Sequence, residues 1–194
     1  MNYLAHIYLS GTDEQLTLGN FIGDAVKGKR YLDYPIRMQQ GILLHRAIDS
    51  YTDTHPMVKQ SVHRLFDEYR WYSGVIVDMY YDHFLAKNWT QFHKTALTPY
   101  TLSFYTLLQK HYVSLPKRVQ NFLPYMIEEN WLLKYATLDG LSDILSQMNR
   151  RTLYKSKMDR SIGNLQDQYQ KFETEFYSFF ADLERFSTSQ ITLL

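Results

Sequence analysis

Between Gly41 and Asp53 the chain reads GILLHRAIDSYTD, where apolar residues cover most of a helical surface and His45, Asp49 and Asp53 recur at every fourth position. Residues four apart share one face of an α-helix, so an imidazole and two carboxylates form a stripe. The device returns in VIVDMYYDHFL, Val75 to Leu85, where Asp78 and Asp82 stand four apart and His83 follows. Both segments are too apolar to lie free in water, so their acidic residues are expected to face inward. Burying a carboxylate costs on the order of several kcal/mol unless a partner compensates. One cation held between the two helices would compensate all of these groups, and a metal site is the first expectation.

Helical spacing also accounts for the rest of the chain. Residues 2–10 read as a tucked-in arm or a first helical turn, a setting in which a lone His6 is ordinarily a satisfied core residue. LTLGNFIGDAVKG reads as a helix with Asn20 and Asp24 on one stripe, ended by Lys27, Lys29 and Arg30. Gly19 and Gly23 would each weaken an exposed helix by about 1 kcal/mol, which implies a close neighbour. Pro35 starts the helix of the first acidic stripe, Pro56 starts the next, and Ser73 is placed as the cap of the second acidic helix. His63 is assigned to solvent. A further helix begins at Thr98 and Pro99. Pro124 is expected to kink or split the segment after Pro116 because it lacks a backbone donor, and Trp131 and Tyr135 read as core. Leu138–Arg150 and Ile162–Phe186 complete the pattern, the latter with Leu165, Tyr169, Phe172, Phe176, Phe179 and Leu183 at spacings of four and three. No segment alternates as a strand would. The expected fold is all-α, a single-domain helical bundle of seven or eight helices.

Composition narrows the functions available. The 194 residues suffice for a core, and 17 Tyr with 11 Phe make it aromatic. A net charge of +1 provides no global field for nucleic acid or an anionic membrane. With no cysteine, disulfides, thiolate metal sites and cysteine nucleophiles are excluded. No signal peptide and no membrane span are read, so the expected location is cytoplasmic.

The inward polar residues form three groups: Asn20 and Asp24; His45, Arg46 and Asp49; Asp78, Asp82 and His83. Carboxylates with one or two imidazoles suit Mn²⁺, Mg²⁺ or Fe²⁺, and such sets activate water for attack at phosphorus or carbonyl centres. Arg46 is suited to clamp a phosphate. The alternative is a buried network in which Arg46 pairs Asp49 or Asp82 and His83 bonds a carboxylate. There is no glycine-rich phosphate loop, GxSxG elbow or HExxH motif. The basic run NRRTLYKSKMDR suits an acidic protein partner better than nucleic acid, for it carries a single aromatic, Tyr154.

NYLAHIYLS, GNFIGDAVKG, GILLHRAIDSYTDTHP and VIVDMYYDHFLAKNW, in this order, closely resemble the acyl carrier protein phosphodiesterase family, and EENWLLKY and the Arg150-Arg151 pair resemble it more loosely. The resemblance implies a helical enzyme distantly related to HD-domain phosphohydrolases that removes the 4′-phosphopantetheine arm from holo acyl carrier protein with Mn²⁺ or another divalent cation. It implies Asp24, His45, Asp49 and Asp78 as the core of a metal-ligand set, joined by Asp82, with His83 as a further ligand or catalytic group. His6 becomes a candidate acid or base, Arg46 a phosphate clamp and Asn20 a substrate contact. Arg150, Arg151, Lys155 and Lys157, or Lys27, Lys29 and Arg30, become docking residues for the acidic carrier protein. Asp82-His83 reverses the His-Asp order of the HD signature, so ligands do not transfer by position. Two other functions fit the same residues: hydrolysis of a nucleotide or other small phosphodiester, and metal-free binding of acyl carrier protein without turnover.

Overall fold

In a computed structural model describing residues 1–194, several helices begin where the sequence supplies caps or prolines. Helix α1 (Tyr3–Tyr8) is capped by Asn2, whose side chain accepts from Tyr3 N, and α2 (Glu14–Ile22) by Asp13, which accepts from Leu16 N. Such caps contribute about 1 kcal/mol each. Pro35 precedes α3 (Ile36–Thr54), and Pro56 opens α4 (Pro56–Tyr69), where its missing N–H is not needed. The chain continues through α5 (Ser73–Lys87), α6 (Leu97–Lys110), α7 (Lys117–Glu128), α8 (Trp131–Lys134), α9 (Leu138–Arg151), α10 (Ser161–Asp167) and α11 (Tyr169–Leu193), with no strand. The fold is all-α. Eight of the eleven helices are the long ones legible in the sequence, and the short α1, α8 and α10 account for the difference from seven or eight.

The core is one cluster of 45 buried hydrophobic residues. Its centre is α5, eleven of whose fifteen residues are buried, among them Asp82 and His83, which find partners inside the protein. Tyr80, Tyr81 and Phe84 of α5 pack edge-on or tilted against Phe172 and Phe176 of α11. Gly19 and Gly41 let α2 and α3 touch through their backbones: a Cβ on Gly19 would lie 2.2 Å from Met38 O, and one on Gly41 2.2 Å from Leu16 O. This contact sets Asn20, near the end of α2, against the middle of α3, where His45 lies.

Several expectations are corrected. Helix α2 stops at Ile22 and tightens into a 3₁₀ turn at Gly23–Ala25, so Lys27, Lys29 and Arg30 lie beyond it and do not cap it. Pro124 sits inside an uninterrupted α7; the carbonyl it leaves free, Gln120 O, accepts from Tyr112 Oη at 3.3 Å. Ser73 is the first residue of α5 and makes no capping bond, its hydroxyl being buried. The last segment breaks at Gln168 into α10 and α11. Trp131 is only partly buried, whereas Tyr135 is core.

Candidate metal centre

Three helices converge on two imidazoles and a carboxylate. Asn20, fully buried on α2, organises them. Its Nδ2 donates to His6 O and to Ser10 Oγ, each at 2.8 Å, so its Oδ1 is the acceptor facing His6 Nδ1 at 2.8 Å. Its backbone carbonyl accepts from His45 Nδ1, also at 2.8 Å. Both imidazoles therefore carry their proton on Nδ1 and present an Nε2 lone pair when neutral. The rings stack with centroids 4.0 Å apart and planes 23° from parallel. Gly23 makes room for this, since a Cβ there would lie 2.3 Å from His45 Cγ.

The two Nε2 atoms face Asp49, His6 at 3.2 Å from Oδ1 and His45 at 3.1 Å from Oδ2. Both are buried, and neither makes an aligned hydrogen bond. Lone pairs thus face lone pairs, an arrangement that requires a proton or a cation between them. Protonating both stacked rings would place two like charges in contact. One proton on His45, or one cation shared by the three side chains, removes the conflict. One potential ligand atom from each of His6, His45 and Asp49 lies within 4.8 Å of the others, close enough for a single ion to reach all three. Asp24 adds a carboxylate at the exposed edge, its Oδ1 3.5 Å from His45 Nε2.

The charged groups of the site also shift one another. Burial opposes charging of His45, but Asp24 and Asp49 outweigh it and lift its pKa to about 9. Burial and the neighbouring His45 push His6 down. Asp49 would be raised by burial, yet the two histidines hold it well below the usual carboxylate range, and His45 lowers Asp24. At neutral pH a proton on His45 thus answers the two carboxylates, and a divalent cation held here would displace it.

The other expected members have partners of their own, although Asp78 lines the same cavity as His6, His45 and Asp24. Asp78 receives the Met1 ammonium at 2.8 Å. Asp82 is fully buried and accepts from Asn2 N at 3.2 Å and Leu4 N at 2.8 Å, so it anchors the N-terminus of α1, where the helix dipole favours an anion. His83 uses both nitrogens structurally, on Tyr135 O at 2.7 Å and Tyr169 Oη at 2.8 Å. Arg46 donates to Val26 O at 3.0 Å and Gly28 O at 2.8 Å and lies over Tyr31, pinning the loop after α2 rather than clamping a phosphate. Asn20 orients imidazoles and is too buried to meet a substrate. Asp53 is exposed. The reason is common to all of these: four-residue spacing identifies a shared face but not the neighbour that face meets. His45 and Asp49 turn toward α1 and α2, Asp78 and Asp82 toward the chain start.

A cavity of about 330 Å³ adjoins the centre and is lined by His6, His45 and Asp24 together with Arg118, Trp131 and Arg151. Arg118 carried no functional signal in the sequence and Trp131 only its place in EENWLLKY, because each belongs to an ordinary helical pattern and packing brings them to the cavity. For His6, the signals were an imidazole on an otherwise apolar first helix and its place in NYLAHIYLS.

The protein is thus an all-helical one whose two oriented imidazoles and carboxylate, beside a cavity, are consistent with a divalent-metal site. The model of the family described as acyl carrier protein phosphodiesterase matches residues 1–183. Similar relatives named acyl carrier protein phosphodiesterase come from Pectobacterium atrosepticum (31% identity over 98% of this chain and 99% of the relative), Photorhabdus laumondii (32%, 93% and 91%) and Escherichia coli (30%, 93% and 94%). This chain belongs to the acyl carrier protein phosphodiesterase family. No solved structure matches it.

Proposed function

We propose that the protein is a divalent-cation-dependent phosphodiesterase that releases the 4′-phosphopantetheine arm of holo acyl carrier protein, leaving apo acyl carrier protein and free 4′-phosphopantetheine. The observation that carries the metal dependence is the pair of buried Nε2 atoms facing the Asp49 carboxylate without aligned hydrogen bonds. Family membership carries the substrate.

His6 Nε2, His45 Nε2 and Asp49 would hold the ion, with Asp24 completing the set from the exposed side. When bound, Mn²⁺, Mg²⁺ or Fe²⁺ offsets the charge of the phosphodiester and lowers the pKa of a water. Asn20 keeps both imidazoles in the ligand tautomer, a kind of outer contact whose loss typically lowers metal affinity 10- to 100-fold. Arg118 and Arg151 line the same cavity and attract the phosphate. In the overall reaction water adds to phosphorus, the bond to the carrier-protein serine oxygen breaks, and that oxygen takes up a proton. Arg150, Arg151, Lys155 and Lys157 are exposed at the end of α9 and beyond it, and they are the docking residues for the acidic carrier protein.

The test is incubation of chelator-stripped and Mn²⁺-loaded protein with holo acyl carrier protein, reading loss of the arm by mass. Loss only in the loaded sample, abolished in His6→Ala and Asp49→Asn, is expected. Undiminished loss in the stripped protein would refute metal dependence, and preference for nucleotides in a parallel panel would refute the substrate.

A further inference from the structure

We infer that the loop of residues 152–157 is a preformed anchor for an acidic protein partner, with the exposed side chains of Leu153 and Tyr154 entering an apolar recess of that partner inside a ring of cations. This rests on the function proposed above, which makes the partner the carrier protein.

The loop is built inside out. Its polar residues are buried and its apolar ones are not: Asn149 and Ser156 are 4% and 1% exposed, whereas Leu153 and Tyr154 are 76% and 66% exposed. The buried asparagine fixes this arrangement. Its Oδ1 accepts from Ser156 Oγ at 2.9 Å and from Lys157 N at 3.0 Å, its Nδ2 donates to Asp159 Oδ1 at 2.6 Å, and its backbone carbonyl accepts from Tyr154 N at 2.9 Å. Leu153, Tyr154 and Lys157 all take the left-handed backbone conformation, at φ 55°, 62° and 55°. That conformation is unfavourable for a residue with a Cβ, and two in succession persist because the bonds to Asn149 over-determine the turn. Glycine would fit at both positions without strain. A strained backbone therefore displays two apolar side chains to water, and a partner that covers them offsets the exposure.

The surroundings define the partner. Arg150, Arg151, Lys155, Lys157 and Arg160 flank the pair and are exposed. The one acid among residues 149–160, Asp159, is engaged by Asn149. An acidic surface complements such a ring, the cations setting encounter and orientation while the tyrosine and its aliphatic neighbour supply a desolvated centre. Two fixed side chains suit a recess in a folded protein, whereas a lipid surface calls for a broader apolar face. Met148 and Arg151, from the last turn of α9, also line the cavity beside the histidine pair, so a protein seated on the loop stands at the cavity.

The test compares wild type with Leu153→Gly, Tyr154→Gly and the double variant, each full length and Mn²⁺-loaded. Val113→Ser is the control, a change at a side chain 92% exposed in the turn between α6 and α7. The readouts are kcat and KM with holo acyl carrier protein, Kd for labelled apo acyl carrier protein, sedimentation with phosphatidylglycerol vesicles, and Tm. Each glycine relieves strain, so Tm should stay at or above the wild-type value. KM and Kd should rise roughly 5- to 30-fold in the double variant, the range for interface side chains that dominate binding, with kcat nearly constant. The double variant Leu153→Asn with Tyr154→Asn repeats the comparison without glycine's flexibility, since asparagine tolerates the left-handed conformation; the same rise is expected. Val113→Ser should alter none of the readouts. If the wild type removes the arm and both double variants keep its KM and Kd, the anchor is overturned and the hydrolase stands. If both double variants weaken Kd while the wild type leaves holo acyl carrier protein intact, the anchor stands and the hydrolase falls. Loss of vesicle sedimentation with Kd unaltered would assign the loop to a membrane and overturn the protein partner.

Discussion

Gly23→Ala reaches the candidate metal centre without removing any ligand. Gly23 has φ −50° and ψ −43°, which alanine adopts freely, so the backbone is not strained. The added Cβ, however, would lie 2.3 Å from His45 Cγ and 2.6 Å from His45 Cβ and Cδ2. Carbon atoms in contact rest about 3.5–4.0 Å apart, so the imidazole must move by about 1 Å or more. That movement breaks the match between His45 Nε2 and Asp49 Oδ2, now 3.1 Å apart. A misplacement of about 1 Å can reduce turnover roughly 100-fold. Overpacking should also destabilise the fold by about 1–3 kcal/mol, a fall in Tm of roughly 2–12 °C for a chain of this size. The assays are Mn²⁺ titration, kcat/KM with holo acyl carrier protein and thermal melting. Gly74→Ala is the control, for a Cβ there meets nothing within 4 Å and should leave all three readouts near wild type. Wild-type Mn²⁺ affinity and turnover in Gly23→Ala would refute the claim that this glycine sets the position of His45.

Three further outcomes are expected. Asn20→Ala frees the His6 ring and should weaken Mn²⁺ binding about 10- to 100-fold, measured by competition with a chelating dye; unaltered affinity would show that the ring is held by packing alone. His83→Ala should cost about 1–3 kcal/mol in denaturant unfolding, because it orphans Tyr135 O and Tyr169 Oη, while Mn²⁺ content stays at wild type; loss of the metal would return His83 to the centre. Burial lifts Asp82 to about 7 in the folded protein, against about 3.9 for an unfolded aspartate. The folded state then binds the additional proton between about pH 4 and 7, so this contribution to stability is full below about 4, declines as pH rises and is gone above about 7. Unfolding free energies at several pH values should show a flatter dependence in Asp82→Asn than in the wild type, and identical slopes would contradict the assignment.

Much of this protein was decided locally and could be read in one dimension. The long helices follow from apolar residues three and four apart and from Asp13, Pro35 and Pro56 at their starts, because these act over a single turn. The aromatic stripe of α11 and the His45/Asp49 pair belong to the same category. Only the folded chain decided which polar stripes meet. Asp78 and Asp82 have the same spacing as His45 and Asp49, yet they serve the Met1 ammonium and the start of α1, while His6, 39 positions away from His45 in sequence, stacks on it. Helical periodicity states which way a side chain points, not what stands opposite. That is set by the Gly19–Gly41 contact between α2 and α3, by the space at Gly23 and by a single buried asparagine that turns two histidines toward one carboxylate.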